Sequence, residues 1–231
     1  MPNNLPIAEN IAHIQQLISA AAALAGRDPA EVNLIAVSKT KPLSAVTTAV
    51  AAGQHSFGEN YAQELADKAA ELAADWHFIG PLQSNKTKLV ANAASWVHTI
   101  DRPKIAERLN AQRDPKLPSL QCCIQVNISE DPHKSGLTPA AVAELADAFN
   151  AWPNLQLRGL MCIPSAEDHD AFARMRQLFN HLKQQGFCLD TLSMGMSNDF
   201  ELAIAHGATH VRVGTAIFGA RETNPQPIGK S

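Results

Sequence analysis

Lys39 is the first residue whose type and place suggest chemistry. It follows Leu34-Ile35-Ala36-Val37-Ser38, a short apolar run that predicts a buried strand. A lysine ending such a strand is costly unless it pairs, reaches solvent along its own stem, or reacts. Strand alternation puts Ile35, Val37 and Lys39 on one face. An amine above an apolar floor is desolvated, and Lys41 adds like charge nearby. Both effects lower a lysine pKa and make the amine a better nucleophile. The plainer alternative is a lysine that simply reaches solvent at a strand end.

Two glycine-containing loops late in the chain offer hydroxyls and backbone N–H groups. They read Met194-Gly195-Met196-Ser197-Asn198-Asp199 and Arg212-Val213-Gly214-Thr215. Ser197 is expected to cap a short helix at Asn198–His206, and helix N-termini attract phosphate. Gly214 lets the backbone approach an anion closely, and Thr215 adds a second hydroxyl. A plain cap and a glycine bend would leave the same trace. Arg212 lies between Val211 and Val213 inside a strand, where a permanent cation must pair or bind something. Asn60, after Phe57-Gly58-Glu59, could touch a ligand or cap the next helix. His77 reads as a hydrogen-bonded core histidine. The nine histidines show no metal-ligand spacing, and Cys122, Cys123, Cys162 and Cys188 form no C-x-x-C pair.

The elements that must hold these residues alternate along the chain. Ile7, Ile11, Ile14, Ile18 and Leu24 predict a first helix over 5–25. Eight strand signals follow, near 34–39, 56–59, 76–80, 96–100, 121–127, 157–163, 191–195 and 210–218, with helices between them. Among the helices, 60–74, 83–93 and 168–184 are expected, with Asp101 capping one that starts around Pro103. Eight strand–helix units in 231 residues imply a single (β/α)8 barrel with an extra N-terminal helix, 1–231 forming one domain. Residues 224–231 read as a loosely attached tail. A doubly wound open sheet is the alternative, but no G-x-G-x-x-G follows an early strand.

In such a barrel the active end is the carboxyl end of the strands, and the last two loops are the usual phosphate seat. Lys39, Asn60, Met196, Ser197, Arg212, Gly214 and Thr215 would then ring one mouth. A nucleophilic amine, a phosphate seat and a fixed cation suit a phosphorylated aldehyde. Pyridoxal 5′-phosphate (PLP) fits: lysine to the aldehyde, late loops to the phosphate, Arg212 to the ring nitrogen. A Schiff-base aldolase acting on a sugar phosphate would share the lysine and the seat.

Five runs also resemble a known family. They are Ala36–Pro42, Phe57–Tyr61, His77–Lys86, Gly195–Asp199 and Arg212–Gly219, and they resemble the pyridoxal phosphate homeostasis proteins across nearly the whole chain. The resemblance implies a barrel like the N-terminal domain of alanine racemase. It implies Lys39 as the Schiff-base lysine, Ser197 and Thr215 on the phosphate, Arg212 at the pyridine nitrogen and Asn60 near the cofactor. Met194 and Asn198 depart from the family's usual leucine and acid without touching those ligands. A role in supplying or buffering the cofactor is also implied, with PLP-dependent apoenzymes as recipients.

Racemisation needs an acid/base on each face of the substrate carbon. Lys39 covers one, and the chain holds a single tyrosine, Tyr61, for the other. A cation beside the ring nitrogen also makes the ring a poor electron sink. The expectation is a carrier without catalytic residues, with a PLP-dependent racemase of the alanine racemase fold as the alternative. A net charge of −3 argues against nucleic acid and anionic membranes. No signal peptide or membrane span is visible, the cysteine pattern suits a reducing cytoplasm, and a monomer is expected.

Overall fold

Eight short strands rich in branched and apolar residues pair in parallel and in chain order. They are β1 (Asn33–Val37), β2 (Ser56–Glu59), β3 (Asp75–Phe78), β4 (Trp96–Ile100), β5 (Leu120–Gln125), β6 (Leu155–Met161), β7 (Thr191–Met196) and β8 (His210–Val213). β8 returns to pair with β1, Ile35 opposite Arg212, so the barrel closes without an edge. The computed structural model describes residues 6–219. The expected tail at 224–231 lies outside them.

Helix α1 (Ile7–Leu24) precedes β1. After the strands come α2 (Leu43–Ala51), α3 (Ala62–Glu71), α4 (Thr87–Ala93), α5 (Pro103–Gln112), α6 (Val142–Ala148), α7 (Ala171–Gln184), α8 (Phe200–Ala205) and α9 (Thr215–Phe218). The extra helix closes the seam where the chain's two ends meet. Asn10 donates to the carbonyl of Ile217 at 3.0 Å, and Arg27 donates to those of Ile204 and Ala208. Ile11, Ile14 and Ile18 are buried along α1 as expected. Leu24 is 91% exposed, which corrects its place on that face: six positions beyond Ile18 it has rotated away, and Ala21 and Ala22 take the contact.

Alternation divides the core in two. Leu34 and Ala36 pack outward against helices, while Ile35 points into the barrel. A Cβ on Gly58 would stand 2.9 Å from Ile35 Cγ2 and 2.8 Å from Ile79 Cδ1, so the barrel lumen is filled by side chains at this level. Nearer the amino ends of the strands lies a polar aromatic layer. His77 Nδ1 meets His98 Nε2 at 2.9 Å, His77 Nε2 meets Asp75 Oδ2 at 2.9 Å, Trp96 stacks on His77, and His210 packs tilted against Trp96. His77 is therefore a hydrogen-bonded core residue, as expected, but one of three histidines rather than a solitary one.

This layer makes stability depend on pH. Burial, then the neighbouring His77, pushes the pKa of His210 down to about 3, and burial holds that of His98 well below its ordinary value. The unfolded chain takes up these protons below about pH 6.5 and the native barrel does not. Their contribution is whole above that pH and is lost as pH falls towards the folded pKa. Each histidine should cost about 1.4 kcal/mol per pH unit in that window. Urea midpoints at pH 7, 6 and 5 check this, and His210→Gln should remove about half of the slope.

Candidate functional site

The chain leaves β1 at Val37, two residues before Lys39, which corrects the expectation that Lys39 itself ends the strand. The ladder runs one step further, Ser38 N–H donating to Gly58 O at 3.0 Å. A turn then carries Ser38 to Lys41, closed by Lys41 N–H donating to Ser38 O at 3.1 Å, with Thr40 at φ 62°. Lys39 is partly buried within this turn. Pro42 stands at the N-cap of α2.

Asn60 does not cap α3, because Tyr61 holds that position. Asn60 Oδ1 is instead buried without a hydrogen-bond partner. The amide thus keeps an acceptor for something that reaches the barrel's carboxyl end. Gly80 fixes where Asn60 lies, since a Cβ there would fall 2.1 Å from Asn60 O. Thr99 Oγ1 holds Gly80 O from the other side at 2.7 Å. Gly80→Ala must push the Asn60 backbone away, at a cost of about 1–3 kcal/mol or more. A fall in denaturation midpoint with weaker PLP binding is the expected result.

The late loops differ in detail from the expectation. Helix α8 starts at Phe200 with Asp199 at its N-cap, so Ser197 opens a three-residue turn and does not cap. Asp199 closes that turn by accepting the Met196 N–H, a local side-chain bond that competes with earlier helix formation. Strand β8 ends at Val213, not near 218: Gly214 leaves the ladder and Thr215 begins α9. Likewise Asp101 is not the cap of α5; Arg102 occupies that position, and Asp101 pairs with its guanidinium at 2.6 Å.

Register brings these ends together. Val37 pairs with Gly58, Met196 with Arg212, and Ala36 with Val213. A Cβ on Gly214 would lie 3.1 Å from Val37 O, so the glycine lets the last loop close onto the Lys39 strand. A cleft of about 790 Å³ opens at this end, lined in part by Met196, Ser197 and Thr215 and also by Lys134, Ser165 and His169. Lys39, Asn60, Arg212 and Gly214 are not in that lining; they sit on the adjacent strand ends.

Arg212 is buried, and its two terminal nitrogens donate to neutral partners, Ser193 Oγ at 2.7 Å and Cys162 O at 2.9 Å. The alternative of a structural salt bridge does not hold for this residue among the described ion pairs. Ser193 carried no sequence signal beyond its place in a strand. No cluster able to hold a metal occurs among the described residues.

The profile of the "Alanine racemase, N-terminal domain" family matches residues 7–222. The pyridoxal phosphate homeostasis protein of Pseudomonas aeruginosa is 56% identical over 224 residues, covering 94% of this chain and 96% of its own. That of Escherichia coli is 52% identical over 227 residues, covering 94% and 97%. The structure of PipY from Synechococcus elongatus with PLP bound superimposes with a TM-score of 0.78 at 38% identity, covering 92% of this chain and all of that one. Alanine racemase from Corynebacterium glutamicum shares the fold at 17% identity and TM-score 0.68, with 62% of its length covered.

Proposed function

The chain belongs to the pyridoxal phosphate homeostasis protein family, built on the alanine racemase N-terminal barrel, and we propose that it holds PLP on Lys39 as a carrier rather than a catalyst. The observation that carries this reading is the PLP-bound relative, similar over 92% of the chain, and a fitting set of polar groups at the carboxyl end of this barrel supports it. PLP supplies an aldehyde that a lysine amine takes as a Schiff base. The cleft has ample room for it. Asn60 Oδ1 lacks a donor, Arg212 is a buried cation with neutral partners, and Ser197 and Thr215 bring hydroxyls to the cleft.

In this assignment Ser197, Thr215 and the N–H groups of their loops hold the phosphate. Arg212 would donate to the ring nitrogen, Asn60 would orient the ring, Met196 would line the wall, and Gly214 lets the last loop close onto Val37 beside it. Arg212 cannot give up a proton, so it holds the nitrogen unprotonated. Lys39 supplies the amine. Titration of the purified protein with PLP should produce a visible absorbance band distinct from that of free PLP, and borohydride should bleach it. A spectrum identical to free PLP would reject the reading and favour the sugar-phosphate aldolase, whose lysine chemistry needs no PLP.

The racemase reading lacks its second base. Tyr61 is 55% exposed at the start of α3 and serves there as backbone cap. Turnover on alanine, serine or glutamate should therefore stay well below the usual enzyme range of roughly 1 to 1,000 per second. A chiral assay of the PLP-loaded protein checks this. The reading extends to PLP-dependent apoenzymes as recipients, to a monomer and to the cytoplasm. Among the described residues no helix is long and apolar enough to cross a membrane.

A further inference from the structure

Behind the Lys39 turn, on the side facing α3, sits a cluster of charges that the cofactor site does not use. Lys68 is buried, its side chain 8% exposed, and its ammonium makes three short contacts. It donates to Ser38 O at 2.8 Å, to Glu59 Oε1 at 2.7 Å and to Glu64 Oε1 at 2.8 Å. An ammonium has three N–H donors, so this one is saturated. Ser38 Oγ also donates to Glu59 Oε1 at 2.7 Å, and Thr40 N–H donates to Glu64 Oε1 at 2.7 Å. Every group that Lys68 touches is thus tied to Ser38 or Thr40, the two neighbours of Lys39.

Thr40 shows why such a clamp is needed. It is β-branched and stands at φ 62°, a conformation that β-branched residues rarely adopt and that persists only where the surroundings impose it. Two hydrogen bonds help impose it: the Lys41 N–H bond to Ser38 O and the Thr40 N–H bond to Glu64. Lys68 holds the acceptor of each. An ammonium bonded to two carboxylates beneath one strained turn exceeds what helix–barrel packing requires, since apolar residues of that volume would fill the space.

We propose that Lys68 is a positioning residue for Lys39. Through Ser38 O, Glu59 and Glu64 it locks the Ser38–Lys41 turn in its left-handed form and so fixes Lys39 for cofactor capture. This rests on the reading of Lys39 as the PLP-bearing residue. Glu59 Oε1 is the anchor on the barrel side, shared between Lys68 and Ser38, and Glu64 is the anchor on the helix side.

Two measurements on the whole protein test it. The first is amide hydrogen exchange at Thr40 and Lys41 without cofactor. The second is the rate at which PLP is captured on Lys39, quenched with borohydride and mapped by mass spectrometry across pH. Loss of one charge-assisted bond should speed Thr40 exchange at least about tenfold in Lys68→Met and in Glu64→Ala, and slow capture by a similar factor. Glu64 is partly exposed, so its variant folds even where two unpaired carboxylates disrupt Lys68→Met. Adding Thr40→Gly, for which the left-handed turn is costless, should restore most of the capture rate, whereas a role in stability alone would leave it lost. Unchanged capture in Glu64→Ala despite faster exchange, unchanged exchange, or no rescue by Thr40→Gly would each overturn the proposal. Capture at another residue in the wild type would overturn the functional reading itself, and that outcome needs no variant to be seen.

Discussion

Borohydride reduction of the PLP-loaded protein will leave the pyridoxyl group on Lys39 and almost nowhere else, and Lys39→Ala will abolish the visible band. Lys41, two residues away, is the internal control. It lies past the left-handed Thr40 and donates its backbone N–H back to Ser38 O, so its Cα is carried around the turn away from β1. Lys39 is the first residue of the turn, directly after the last ladder bond from Ser38 N–H to Gly58 O and two residues beyond Val37, which Gly214 approaches. Local concentration favours whichever amine the bound phosphate holds near the aldehyde, and effective molarities for well-placed groups are large. Label divided evenly between Lys39 and Lys41 would mean that the turn does not discriminate. Label mainly on Lys134, which also lines the cleft, would place the aldehyde beside that lysine instead.

The barrel could be read from the chain because its cause is local. Each strand is a short apolar run followed by a helical pattern, and parallel pairing with right-handed crossovers leaves few topologies. The ends of elements were harder, and the site is built from ends. Nothing in Ser197-Asn198-Asp199 says which residue caps, since all three are good caps; Asp199 wins because its side chain also reaches the Met196 N–H. Strand eight looked longer because Ala216-Ile217-Phe218 is apolar, but those residues pack inward from a helical turn. Lys39, Arg212, Ser197, Thr215 and Asn60 carried signals of type and place. Glu64 and Lys68 carry no such signal: at i and i+4 on an amphipathic helix, their types and spacing are also those of a solvated pair. Only the fold shows that the pair is turned under the Lys39 turn, and no glycine marks Thr40 as left-handed. The histidine layer was hidden for the same reason, being assembled from three strands.

Wild-type protein will strongly prefer PLP to pyridoxal, and the Ser197→Ala, Thr215→Ala double variant will lose most of that preference. Both hydroxyls line the cleft at the carboxyl ends of β7 and β8, and Met196 pairs with Arg212 across the two strands. The phosphate is the largest charge on the cofactor, and a hydrogen bond to a charged group contributes about 1.5–3 kcal/mol. Each single substitution should then weaken PLP binding by roughly 10- to 150-fold, while pyridoxal binding hardly moves. The two residues would share one anion, so the double variant need not show the product of the single effects. Covalent capture on Lys39 should survive at high PLP concentration, because neither substitution touches the Ser38–Lys41 turn or its partners on α3. That separation is the discriminating feature: loss of phosphate preference with the Lys39 label retained assigns the seat to these two loops. A double variant that kept the wild-type preference would move the phosphate to other residues of the lining, such as Lys134 and His169.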